Sequence, residues 1–148
     1  LVLRVGRKII SLNIFRREYE KDRRTASYTL EEIDQMDGEK FKHYVANLLH
    51  LYQFKKIRVS PYSNDKGLDV YAEHEKLKYG FQCKRWSRNV PLSAIQEIYT
   101  AKDLYDLDRI IVITNSGFTK AAIEAAIKLD VILIARKRLG EMIRYLQP

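Results

Sequence analysis

The chain has 148 residues, 46% of them apolar and 31% charged, which excludes a disordered polymer and suits one domain with its own core. One cysteine, Cys83, excludes an internal disulfide and a cysteine-built zinc site, and no run of about 20 apolar residues is present to span a bilayer. The net charge is +8, but residues 1–24 hold eight Lys/Arg against three Asp/Glu, so most of the surplus belongs to an N-terminal arm and total charge alone says little about nucleic acid.

Residues 1–16 mix Val, Ile, Leu and Arg, and residues 17–28 read as a charged connector. Together, residues 1–28 form a basic arm ahead of a domain over 29–148. The first residue is Leu1 rather than Met, which leaves room for an upstream domain. Thr29 stands three residues before Glu32, the spacing of a capping box, and Asp37 is placed to cap a longer helix. Phe41, Tyr44, Val45, Leu48, Leu49 and Tyr52 then recur at helical spacing. A short strand over 56–63 ends at Pro61, and Asn64–Gly67 is a turn cluster. Residues 68–74 and 76–86 read as an antiparallel hairpin turning at Glu75. A helix over 90–107 has Pro91 in its first turn. An apolar strand over 109–116, an alanine-rich helix capped by Thr119, a strand over 131–137 and a helix over 139–146 complete the order. Apolar strands alternating with helices are covered on both faces, so the fold class is α/β, with three α/β/α layers about a central mixed sheet.

Charged groups interrupt two of these apolar strands. Strand residues two apart face the same side, so Gln82 and Lys84 point together, and Asp69 lies on the neighbouring antiparallel strand. An acid and an amide oxygen can hold a hard cation such as Mg²⁺ or Mn²⁺, here through Asp69 and Gln82. A lysine beside them can activate a metal-bound water or stabilise charge on a phosphate. Acid–lysine pairs on adjacent strands are commonly plain salt bridges, but internal strands do not keep charged groups without a reason. Gln96, on the following helix, is in reach of this site or turned to solvent. Lys66, Arg85, Arg88 and Lys120 are either solvated surface charges or candidate contacts to backbone phosphates.

The segments "GLDV", "FQCKRW", "LSAIQEIYTAKDL", "IIVITNSGFTKAAIEAA" and "VILIARKRL" resemble the catalytic domain of Mrr-like restriction endonucleases, a branch of the PD-(D/E)XK nucleases. The likeness runs from about Ile33 to Leu146. It implies a restriction-endonuclease-like fold, with Asp69 as metal-binding aspartate, Gln82 in the place of the usual acid and Lys84 as catalytic lysine. These nucleases also carry a glutamate on the first helix, where this chain reads Phe41-Lys42 instead of Phe-Glu. Glu39, one turn away, is the nearest acid and is a candidate either to supply that carboxylate or simply to stabilise the helix N-terminus.

The resemblance implies a Mg²⁺-dependent (or Mn²⁺-dependent) DNA endonuclease that restricts foreign or modified DNA, and the single cysteine fits a reducing, cytoplasmic setting. Double-strand cleavage by such a site usually needs a second active site, which points to a homodimer. Two other readings stand beside it: a repair or recombination nuclease of the Holliday-junction-resolvase type, and a DNA-binding module in which Lys42 marks a degraded site.

Overall fold

The structure is a computed structural model that describes residues 17–61 and 67–148. The first sixteen residues of the basic arm lie outside the described residues, as do Asn64 to Lys66 of the turn cluster. The connector at 17–28 lies against the body. Its one 3₁₀ turn, Thr25–Ser27, precedes Tyr28, whose ring meets Tyr44 edge-on at 5.7 Å in the core.

Helix α1 (Leu30–Asp34) opens on the expected capping box, with the Thr29 hydroxyl accepting from the Glu32 N–H and the Glu32 carboxylate accepting from the Thr29 N–H. Helix α2 (Gly38–Leu51) starts at Asp37, whose side chain accepts from the Lys40 N–H. Its apolar stripe is buried from Phe41 to Leu49. Strand β1 (Lys55–Val59) follows, then the hairpin of β2 (Val70–His74) and β3 (Leu77–Lys84). The hairpin turns at Glu75 and Lys76, both at positive φ. Helix α3 (Leu92–Leu104) has Pro91 at its N-cap, one residue ahead of the first turn. Strand β4 (Arg109–Thr114), helix α4 (Lys120–Leu129, capped by Thr119) and strand β5 (Ile132–Ile134) come next. Helix α5 (Arg136–Tyr145) begins three residues before the expected position and shortens the last strand. The reason is tertiary: the Arg136 guanidinium is held by Asp34 Oδ1 at 2.7 Å and by the Asn115 carbonyl at 3.0 Å, which turns the chain out of the sheet.

The sheet order is β1-β2-β3-β4-β5, antiparallel across the first two pairings and parallel across the last two. Alternation along each strand divides its side chains between two cores. Ile111 and Ile113 join Phe81, Phe41, Leu48 and Leu139 on the face covered by α2 and α5. Ile110 and Val112 join Leu68, Ile95, Ile98 and Ala122 on the face covered by α3 and α4. This is the mixed-sheet α/β/α sandwich read from the sequence. The parallel β3–β4 pairing places the C-terminal ends of both strands together, as open α/β sheets do where they carry sites.

Candidate active site

The end of β3 is clamped from both sides. Asp69 precedes β2 and keeps the sheet pairing for one more residue: its N–H donates to the Phe81 carbonyl at 2.9 Å, and its carbonyl accepts from the Ser60 N–H at 2.8 Å. On the other side, Thr114 donates its hydroxyl to the Lys84 carbonyl, and Asn115 Oδ1 accepts from the Trp86 N–H at 2.9 Å. Backbone held this way carries its side chains with little freedom.

Asp69 Oδ2 accepts from the Cys83 N–H at 2.8 Å. Burial pushes the Asp69 carboxyl above its ordinary range; the Cys83 hydrogen bond and the charges of Lys42 and Lys84 offset only part of that. A buried carboxylate so placed is short of positive charge. Asp69 and Lys84 line one cavity of about 580 Å³, together with Asp37, Gly38, Glu39, Lys42 and Cys83. Helix α2 therefore presents its first turn to the start of β2 and the end of β3.

Gln82 lies deeper, 2% exposed, on the side of β3 that faces α3. The β2–β3 register pairs Val70 with Phe81, so the next position pairs Asp69 with Gln82. The Gln82 Nε2 donates to Glu97 Oε2 at 2.9 Å, while its Oε1 is buried with no hydrogen-bond donor. Lys84 Nζ is 3.8 Å from the same Glu97 oxygen and 5.7 Å from the Trp86 ring centroid, within cation–π range.

Glu39 reaches the cavity with both oxygens engaged. Oε1 pairs with Arg17 at 2.9 Å and lies 3.4 Å from His43 Nε2; Oε2 pairs with Lys42 at 3.0 Å. Burial raises the Glu39 carboxyl, but the Lys42 and Arg17 contacts outweigh it and hold the group below its ordinary range. Lys42 is itself buried and also donates to Ser60 Oγ at 3.2 Å. So the first helix of the site brings an ion pair to the cavity, not a lone carboxylate.

Among the candidate DNA contacts, Arg88 is exposed and stands over the Trp86 ring at 5.6 Å, and Lys120 is exposed at the start of α4. Arg85 turns the other way and donates to the Asp34 carbonyl at 3.2 Å. Gln96 is exposed on α3, and its neighbour Glu97 is the residue that meets Gln82 and Lys84. Sequence reasoning passed over Glu97 because one apolar-periodic helix does not reveal which flank of its stripe meets the strand below. Lys42 was visible only as a departure from the family pattern.

A family model described as a restriction endonuclease, the Mrr catalytic domain, matches residues 33–143. The chain belongs to this restriction endonuclease family. The matched span covers every element from the end of α1 to the last turn of α5, including Asp69, Gln82 and Lys84. No protein of curated function matches the chain. Three solved structures share the fold at low identity. A protein of unknown function, AF1548, superposes with a TM-score of 0.55 at 21% identity, over 64% of this chain and 55% of its own. Can2 from Sulfobacillus thermosulfidooxidans, solved with cyclic tetra-adenylate, gives 0.57 at 18% identity over 75% of this chain and 36% of Can2. VC1899 from Vibrio cholerae gives 0.54 at 12% identity over 93% of this chain and 40% of VC1899. This chain thus spans about half the length of the first of these proteins and less of the other two. Among the described residues, no helix is long and apolar enough to cross a membrane.

Proposed function

We propose that this domain is a divalent-metal-dependent DNA endonuclease that hydrolyses phosphodiester bonds, acting in the cytoplasm in restriction of foreign or modified DNA. One observation carries the reading. The β2–β3 hairpin folds Asp69 back beside the end of β3, so that Asp69 and Lys84 line one cavity, and the strand register sets the buried Gln82 opposite Asp69.

The donor set suits a hard cation. The Asp69 carboxylate carries one backbone hydrogen bond and is short of positive charge, and Gln82 Oε1 has no donor. Asp69 and Gln82 would hold Mg²⁺ or Mn²⁺, which when bound supplies an activated water and neutralises phosphate charge. Among the described residues no group of three His, Cys, Asp or Glu side chains gathers, so the protein's own ligands would be one carboxylate and an amide, enough to bind the cation before substrate phosphate adds to them. Lys84, a quarter exposed and loosely held, offers its ammonium to the scissile phosphate as charge builds there. Arg88 and Lys120 are exposed to take backbone phosphates, with Lys66 a further candidate on the sequence alone. Cleavage of both strands calls for a second copy of the site, which supports a homodimer.

The test is plasmid nicking with Mg²⁺ or Mn²⁺ against EDTA, wild type beside Asp69→Ala and Lys84→Ala. Nicking that needs metal and both side chains supports the reading, and metal-independent or variant-insensitive nicking overturns it. The buried Lys42–Glu39 pair favours a second reading, a DNA-binding module without cleavage. DNA binding that persists in EDTA, with no nicking in either metal, would select it.

A further inference from the structure

We propose that Glu97 is the positioning residue of this site: it fixes the Gln82 amide so that Oε1 stands as an oxygen ligand for the cation, and it steadies Lys84 beside it. The inference rests on the metal-dependent reading above.

An ionised carboxylate only accepts hydrogen bonds, so the end of the Gln82 amide that meets Glu97 must be its NH₂. The 2.9 Å contact from Nε2 to Glu97 Oε2 therefore settles which way the amide faces. The opposite end is Oε1, which is buried and receives no donor. A buried acceptor without a partner is costly, and an oxygen-seeking cation beside Asp69 would offset that cost. The carboxylate behind the amide also draws on its N–H, which raises the electron density at Oε1. Outer groups of this kind orient metal ligands and strengthen them. The same Glu97 oxygen stands 3.8 Å from Lys84 Nζ, so one carboxylate on α3 touches two residues of β3 that face the same side. Backbone packing holds it there: Gly67 lies so close to the Glu97 carbonyl that a Cβ at residue 67 would stand 2.5 Å from that oxygen. A simple tie between β3 and α3 would account for the Gln82 contact but not for the unpartnered oxygen at its other end.

The experiment is Mn²⁺ binding to the full chain without DNA, by calorimetry and by the Mn²⁺ spin-resonance signal. The variants are Asp69→Ala, Glu97→Ala, Glu97→Gln and the exchange pair Gln82→Glu with Glu97→Gln. Glu97→Ala is expected to weaken Mn²⁺ binding about ten- to a hundredfold. Glu97→Gln is expected to weaken it as well, because the new amide can donate to Oε1 and let Gln82 turn over. The exchange pair keeps the contact and puts the carboxylate on β3, and should restore wild-type affinity or better. Should Glu97→Ala fail to fold, Glu97→Gln and the exchange pair carry the test. Wild-type affinity in both Glu97 variants, with binding lost in Asp69→Ala, overturns the role of Glu97 and leaves the metal reading standing. An exchange pair that folds but stays weak overturns it too. If the wild type binds no Mn²⁺, or Asp69→Ala binds it unchanged, the metal reading fails and this inference with it.

Discussion

Lys84 and Lys42 carry the same charge to one cavity but stand in different surroundings. The Lys84 side chain is 24% exposed and 3.8 Å from its carboxylate partner, whereas Lys42 is 7% exposed and held by Glu39 at 3.0 Å and Ser60 at 3.2 Å. A loosely held ammonium can follow charge as it develops on a phosphate; a saturated one cannot. Lys84→Ala should therefore lower single-turnover cleavage about a hundredfold, with little loss of DNA affinity. A parallel loss of affinity and about one unit of salt slope would make Lys84 a phosphate-positioning group instead. Lys42 acts on Asp69 through its charge, and Glu39 keeps Arg17 when that charge is removed. Lys42→Met should thus strengthen Mn²⁺ binding by at least about tenfold, because like charges sharing one cavity repel by several kcal/mol even at an effective dielectric near 20. Calorimetry checks the sign: weaker binding would mean that Lys42 organises the site rather than opposing the cation.

At the scale of elements, two turns set the site and differ in how well their residues suit them. Gly67 has φ +85° and meets the Glu97 carbonyl of α3, so no side chain fits there. Gly67→Ala should cost about 2–4 kcal/mol in urea unfolding, by backbone strain and by pushing α3 off the strand. The β2–β3 hairpin turns on Glu75 and Lys76 at φ 49° and 67°, where Asn-Gly is preferred. The double substitution Glu75→Asn with Lys76→Gly should raise stability by about 0.5–1 kcal/mol and leave cleavage unchanged. A loss of stability would show that the present side chains contribute through contacts of their own.

Across the whole molecule, Asp34 ties the start of the domain to its end. Its Oδ1 accepts from Arg136 Nη1 at 2.7 Å and from Asn115 Nδ2 at 2.8 Å, joining α1, the end of β4 and the start of α5. Burial raises the Asp34 carboxyl, but the Arg136 and Asn115 hydrogen bonds outweigh it and hold the group below its ordinary range. A lowered folded pKa contributes stability above the unfolded carboxylate value, and that contribution is lost as pH falls through the folded value. Asp34→Asn should then cost about 1 kcal/mol at pH 7, discounted because both side chains are about a third exposed. The gap to wild type should close in acid. Urea titrations at pH 7 and in acid check it, and a gap that persists in acid would assign the loss to packing.

Local chemistry determined much of this protein. The capping residues Thr29, Asp37 and Thr119 act on backbone three residues away, so their helices start where the sequence places them. The two-residue strand period puts Gln82 and Lys84 on one side, and a short hairpin leaves Asp69 few places to go except beside them. Tertiary packing decided the rest. Gln96 and Glu97 are neighbours on one helix, about 100° apart around its axis, and only the seating of α3 on β3 brings Glu97 rather than Gln96 to Gln82. Likewise, Lys42 is buried because β1 runs on to Ser60 beneath it, and Glu39 is engaged because Arg17 returns from the connector. Helix α5 starts early because Asp34, a hundred residues back, holds Arg136. Contacts of this range depend on how rigid elements pack, and no local pattern encodes the rotation at which a helix meets a sheet.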